Sequence, residues 1–106
     1  MVVHRYSLQS GSGALNTYID ALNTFQMYRG AKILSAQYQP AKGCISLWML
    51  EDKDVGILEA RDFLVVATGD EISHKREQLL YVGTVQESQG ALIWHVFEVL
   101  PSIPVD

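Results

Sequence analysis

The chain has 106 residues, of which 48% are hydrophobic and 19% are charged, and this length and composition are typical of one globular domain rather than of an enzyme with a separate cofactor domain. Twelve acidic and eight basic side chains give a net charge of -4. Nucleic-acid binding is therefore not expected, because it depends on neutralising phosphates.

Cysteine and histidine usage predicts an intracellular protein. The chain has one cysteine, Cys44, and three histidines, whereas a disulfide needs two cysteines and a zinc site needs clustered ligands. We expect Cys44 to be a small buried side chain. No apolar signal region or membrane-span pattern is found. We therefore expect a cytoplasmic protein that has no cofactor, no metal and no membrane association.

Seven segments have the period-two alternation or the β-branched composition that is typical of strands. They cover residues 2–8, 24–28, 31–39, 44–51, 61–68, 79–86 and 91–100. The fourth and the last are apolar on both faces, which predicts central strands, whereas the first has a more polar face that is typical of an edge strand. Gly43 and Gly90 predict the turns of two hairpins.

One short helix is predicted within an insertion at about residues 10–23, because apolar residues recur at helical spacing over residues 14–22. Alternating strand and helix units are absent. The chain is therefore predicted to be mainly β, a compact small sandwich or barrel of about six to seven mostly antiparallel strands with one short helix. This single domain would fill residues 1–100, and residues 101–106 would form a short tail.

His95 is a candidate general base, because histidine is the side chain best suited to proton transfer near neutral pH. The favoured alternative is structural, since a histidine on a strand face usually bonds the backbone or a neighbouring side chain. Glu98 is three residues away and would face the opposite side of the strand. The two side chains are therefore not expected to form a dyad.

The segment of residues 69–78 is the most charged part of the chain and supplies the candidate partner-binding residues. These are Asp70, Glu71, His74, Lys75 and Arg76. Charged loops are frequent binding sites, although mixed charges are more typical of an ordinary solvated loop, which is the favoured alternative. No motif orients the hydroxyl, histidine and acid of this segment as a catalytic triad.

Other motifs are weak. Asp52 and Asp54 resemble the start of a calcium loop without its glycine and distal glutamate. Gly11-Ser12-Gly13 precedes the predicted helix but lacks the lysine of a P-loop, so a flexible turn is favoured. Trp48 and Trp94 could stack on a ligand, although tryptophans in apolar strands usually fill the core.

Five segments form an ordered set of motifs. They are Met27 to Gln37, Ser46-Leu47-Trp48-Met49-Leu50, Ala67-Thr68-Gly69, Tyr81-Val82-Gly83-Thr84-Val85 and Trp94-His95-Val96-Phe97-Glu98. Together they resemble a family of short uncharacterised proteins of tailed bacteriophages and prophages. The chain departs from that pattern at Tyr28 and Arg29, where the family has proline and lysine, and at Asp70, where it often has histidine. The resemblance implies a phage setting and a small β fold, and it implies no activity.

Two classes of function follow. The first is a non-enzymatic phage accessory protein that binds a host or phage macromolecule and modulates it, with counter-defence as one form of this role. The second is a protein that binds or sequesters a small, nucleotide-like signal. A minor virion component and a hydrolase-type enzyme using His74 or His95 are less favoured. A homo-oligomer is expected, because strands that are apolar on both faces exceed what one small interior can cover.

Overall fold

The computed structural model describes residues 1–9, 22–87 and 92–101, and these ranges form seven strands in two sheets. The strands are β1 (Val2–Leu8), β2 (Leu22–Tyr28), β3 (Lys32–Gln39), β4 (Cys44–Glu51), β5 (Leu58–Ala67), β6 (Leu79–Glu87) and β7 (Leu92–Val99). Short 3₁₀ turns occupy Lys53–Val55 and Arg76–Gln78. No helix among the described residues is long and apolar enough to span a membrane.

The two sheets contain antiparallel strand pairs throughout. Sheet A has the order β1, β4, β3, and sheet B has the order β2, β5, β7, β6. β4 and β7 are interior strands and β1 is an edge strand, as their apolar patterns predict. The hairpin pairings of β3 with β4 and of β6 with β7 are also present. The predicted mainly β fold of about six to seven mostly antiparallel strands is confirmed, with seven strands among the described residues.

The hydrophobic core lies between the sheets. β4 supplies Ile45, Leu47 and Met49 at alternate positions, and β5 supplies Phe63 and Val65. Removing a side chain of this size from water stabilises the fold by roughly 1.5–3 kcal/mol. Since β3 lies beside β6, the sheets also meet along one side of the sandwich.

A bulge in β3 changes which side chains reach the core. Strict alternation would place Leu34 and Ala36 on one face, but Ile33 pairs with Met49 and Ala36 pairs with Leu47. Ile33 and Ala36 therefore share the inner face, and Leu34 is left exposed at the bulge. One extra residue in a strand has this effect because it shifts the two-residue period.

The first residues of β2 and β5 differ from the prediction by more than one position. β5 begins at Leu58 rather than at residue 61, because its first residues pair with the end of β2. The predicted helix of residues 14–22 and most of the insertion at 10–23 lie outside the described residues, and Leu22 and Asn23 belong to β2. The predicted turn at Gly90 and most of the tail at 101–106 also lie outside them.

The connection from β5 to β6 has to return along the length of sheet B. Both strands are antiparallel to β7, so they are parallel to each other. β5 ends opposite Trp94, whereas β6 begins opposite Val99. Because sheet A covers the inner face of sheet B, we infer that residues 68–78 cross the outer face.

The burial of side chains on that outer face agrees with this crossing. Leu64 and Val66 point away from the core, in register with Phe97 and His95, yet both are buried. Ile72 in the connection is half-buried between exposed neighbours.

Candidate functional site

Asp70 stabilises the turn that ends β5. Its Oδ2 accepts a hydrogen bond from the Ala67 N–H at 3.1 Å, and its own N–H donates to the Ala67 carbonyl at 3.1 Å. Gly69 has a φ of +95° in this turn, which favours glycine because other residues rarely adopt it. Asp70 therefore has a structural role before any contact with a partner is considered.

The rest of the predicted site residues lie along the connection between β5 and β6. The exposed ones are Glu71, Lys75 and Arg76, and the half-buried one is His74. The end of the connection is anchored by Gln78, whose carbonyl accepts from the Leu100 N–H at 2.7 Å and whose Nε2 donates to the Leu100 carbonyl at 3.4 Å. The partner-binding role of these residues stays a prediction.

Apolar and basic side chains are exposed around the beginning of β6, which is an edge strand of sheet B. Leu80 and Tyr81 are consecutive in this strand, so they project from its opposite faces. Leu80, Tyr81 and Leu100 are exposed. Lys75 and Arg76 are also exposed and lie at the start of the 3₁₀ turn that leads into the strand. The hydrogen bonds of Gln78 place Leu100 beside this region. We call these five side chains the β6 entry surface.

His95 projects from the outer face of sheet B, and hydroxyl groups contact both of its ring nitrogens. Thr68 Oγ1 lies 2.7 Å from Nε2, and Thr84 Oγ1 lies 3.1 Å from Nδ1. The Tyr81 hydroxyl is 2.7 Å from Thr84 Oγ1. One ring nitrogen of a neutral histidine donates and the other accepts, so two hydroxyls satisfy the ring. This is the structural role favoured from the sequence, and Glu98 lies on the opposite face.

Glu51 is a carboxylate that is only 1% exposed. Its Oε2 accepts from the Tyr6 hydroxyl at 2.6 Å and lies 2.7 Å from His4 Nδ1, and its Oε1 accepts from the Tyr28 N–H at 3.0 Å. Burial opposes ionisation, but the hydrogen bonds of Tyr6, Tyr28 and His4 outweigh it and lower the pKa of Glu51. Burial and the bond to Glu51 raise the pKa of Tyr6. The pair is thus an ionised carboxylate and a neutral phenol.

Arg61 and Glu98 form a second interior ion pair. Arg61 Nε donates to Glu98 Oε2 at 2.7 Å and Nη2 donates to Oε1 at 2.8 Å. Nη1 donates to the Ala31 carbonyl. The hydrogen bond to Glu98 outweighs desolvation and raises the pKa of Arg61. The pair is bidentate, which is the strong geometry for arginine and a carboxylate.

Sequence reasoning did not single out these two buried carboxylates as structural centres, although a usable signal exists. Glu51 continues the alternate core positions Leu47 and Met49, and Glu98 continues the position of Val96. Because glutamate is almost never fully buried unless it is paired, a glutamate in phase with core residues predicts a paired, buried charge.

Cys44 lies at the start of β4 and is half-buried rather than part of the core, which corrects the expectation of a buried thiol. Arg5 Nη1 lies 4.0 Å from Cys44 Sγ and donates to Ser46 Oγ at 3.1 Å. Ser46 in turn donates to Gln39 Oε1 at 2.6 Å. These polar side chains form a hydrogen-bonded row across the outer face of sheet A.

A cleft of about 380 Å³ opens where β1 and β6 end and where β4 and β7 begin. Its lining includes Leu8, Tyr38, Cys44, Ile45, Glu87 and Trp94. Trp94 Nε1 donates to Glu87 Oε2 at 3.2 Å. The volume is within the range of small-molecule sites.

Both tryptophans are half-buried, whereas the apolar pattern of their strands favours fully buried core positions. Trp94 is half-buried and packs against the core on one side while it lines the cleft. Trp48 is half-buried on the outer face of sheet A, opposite Arg5 of β1.

Within residues 1–9, 22–87 and 92–101, no three histidine, cysteine, aspartate or glutamate side chains are grouped so that they could hold a metal ion. Two candidate binding regions lie within the described residues: the β6 entry surface at one end of β6 and the cleft at the other.

Comparison of the sequence with known protein families identifies a match. The family described as a domain of unknown function (DUF7352) matches residues 1–104. No curated protein and no solved structure is significantly similar to the chain. Because the match extends over nearly the whole sequence, the chain belongs to the DUF7352 family.

Proposed function

We propose that the protein is a non-enzymatic accessory protein of a tailed bacteriophage, acting in the cytoplasm of the infected cell. It binds a host or phage protein and modulates it, and counter-defence is one form of this role. The phage setting is supported by the sequence resemblance. Self-association is part of the same proposal.

The observation that supports protein binding most strongly is the β6 entry surface. Exposed apolar side chains that are grouped with polar ones are typical of interaction sites. Tyrosine and arginine, represented by Tyr81 and Arg76, are the residue types enriched among side chains that dominate binding energy. The Gln78 hydrogen bonds to Leu100 hold the region in place before binding, which lowers the entropy lost on association.

The bonding of the ionisable side chains supports a binding role over catalysis. Glu51 and Glu98 are held in interior hydrogen bonds. Both nitrogens of His95 face threonine hydroxyls. A carboxylate that acts as a general base has to offer a free acceptor to its substrate, and Glu51 and Glu98 use their acceptors within the protein.

The test is affinity capture from a bacterial host lysate at moderate salt, followed by mass spectrometry. We compare the wild type with a Lys75→Glu, Leu80→Ser variant. The matched control is Lys53→Glu, Leu34→Ser, since Leu34 and Leu80 are 47% and 48% exposed and Lys53 is also an exposed lysine. Circular dichroism checks that all three proteins are folded.

We expect one stoichiometric protein that is retained by the wild type and the control and reduced at least tenfold by the variant. Recovery of no stoichiometric protein with a folded wild type would contradict a protein-binding function. Equal recovery with the variant and the control would remove the β6 entry surface from the proposal.

A further inference from the structure

We propose that the cleft is a binding site for an organic cation, an alkylammonium or guanidinium group on a short aliphatic stem. The cleft lies at the Glu87 end of β6, whereas the β6 entry surface lies at its beginning. β6 has nine residues, so at about 3.3 Å per residue the two sites are roughly 25 Å apart. The inference is therefore independent of the proposed protein-binding function.

The negative charge of Glu87 in the lining of the cleft favours a positively charged ligand. Glu87 is half-buried, and its hydrogen-bond donor among the described residues is the neutral indole of Trp94. No ion pair of the described chain involves Glu87, and no lysine or arginine is among the described lining residues. A carboxylate that is partly removed from water and lacks a counter-charge attracts a cation more strongly than an exposed carboxylate does. The same charge repels phosphate, which counts against a nucleotide-like ligand here.

The walls of the cleft fit the rest of such a ligand. Trp94 and Tyr38 are aromatic, and aromatic faces attract ammonium and guanidinium groups through their quadrupole. Leu8 and Ile45 are core residues that are only 3% and 4% exposed, and they form the apolar floor of the cleft against which an aliphatic stem would end. A carboxylate beside aromatic and aliphatic walls is the combination expected for an amphipathic cation.

The intrinsic fluorescence of Trp94 provides the readout. A Trp48→Phe variant leaves Trp94 as the sole tryptophan, since the chain contains two. We titrate it with 1,5-diaminopentane and, as controls, with neutral 1-pentanol and with adenosine monophosphate. If the variant does not fold, the indole N–H resonance of Trp94 in the NMR spectrum of the wild type gives the same readout.

Two further variants test the role of the charge. Glu87→Gln removes the negative charge and keeps an acceptor for the Trp94 indole. Glu77→Gln is the matched control, because Glu77 is an exposed glutamate outside the cleft. We expect saturable binding of the diamine, an affinity at least tenfold weaker with Glu87→Gln and an unchanged affinity with Glu77→Gln.

Absence of diamine binding, equal binding of 1-pentanol, binding of adenosine monophosphate, or an unchanged affinity with Glu87→Gln would each overturn the proposal. A capped tripeptide with a central lysine distinguishes the two sources of the cation. Binding of both the diamine and the peptide indicates that the cleft accepts a side chain of a partner protein. Binding of the diamine alone indicates a free amine ligand.

Discussion

At the scale of single residues, the buried carboxylate of Glu51 has a structural role because it joins two strands of different sheets to β4. It connects β1 through His4 and Tyr6 and the end of β2 through the Tyr28 backbone. A buried charge is costly unless hydrogen bonds compensate for the lost water. Glu51 has three such partners, which explains why its pKa is lowered despite burial.

Replacing Glu51 should therefore destabilise the fold and change its pH dependence. We expect Glu51→Gln to lower the free energy of unfolding at neutral pH by about 2–3 kcal/mol, because a charged acceptor is lost while its donors stay buried. The pKa of Glu51 is lower in the folded protein than its usual value of 4.5. Its contribution to stability is thus complete above that value and is lost as the pH falls through the folded pKa.

Urea unfolding at a series of pH values provides the measurement. The wild type should lose stability below about pH 4.5 more steeply than Glu51→Gln does. The exposed Glu77→Gln is the control and should follow the wild type. Identical pH profiles for the wild type and Glu51→Gln would contradict the role assigned to the ionised carboxylate.

At the scale of elements, side chains join strands that backbone hydrogen bonds do not join. The Gln9 N–H donates to Asn23 Oδ1 at 2.8 Å, and Asn23 Nδ2 donates to the Gln9 carbonyl at 3.0 Å. The rings of Tyr6 and Phe25 lie 4.9 Å apart. The Asn23 side chain thus makes with the Gln9 backbone the pair of hydrogen bonds that a neighbouring strand would make. It links β1 to β2 at this side of the sandwich.

The Arg61 and Glu98 pair fastens β5 to β7 within sheet B. Removing one member leaves the other buried and uncompensated, so we expect Arg61→Met to lower the free energy of unfolding by about 3–5 kcal/mol. The double variant Arg61→Met, Glu98→Leu should be closer to the wild type, since no buried charge remains. Chemical denaturation of both variants and of Glu98→Leu gives the coupling free energy, and additive effects would contradict this account.

At the scale of the whole molecule, self-association is expected because several strands are apolar on both faces. The segment that crosses from β5 to β6 changes which apolar side chains are left uncovered. The outward residues Leu64 and Val66 are buried within one chain, so they do not need a second copy to cover them. The exposed apolar side chains before and at the start of β5 are instead available for contact with a second copy. They are Val55, Ile57 and Leu58.

We therefore expect a homodimer that uses this apolar segment. Light scattering coupled to size-exclusion chromatography should give twice the 11.8 kDa mass of the chain. Leu58→Lys should shift the protein towards the monomer, because a charge at an apolar interface is costly. Leu34→Lys is the control at an exposed leucine elsewhere. A monomeric wild type would contradict self-association.

The local pattern of the sequence predicts most of the strands and the hairpin pairings. Alternation along residues 2–8 and 44–51 matches β1 and β4, because one buried face imposes a two-residue period. The same period correctly separates His95 from Glu98. The charged segment at 69–78 is also recognisable from composition, and its exposed Lys75 and Arg76 belong to the β6 entry surface.

Features that depend on distant parts of the chain were decided only by the tertiary structure. The bulge at Leu34 arises from pairing with β4, and the early start of β5 at Leu58 arises from pairing with β2. The Glu51 bonds and the cleft at Glu87 combine side chains from strands far apart in sequence. The sequence by itself therefore determined the strands, since their signal is local periodicity, whereas strand order, the interior ion pairs and the cleft follow from how the two sheets pack.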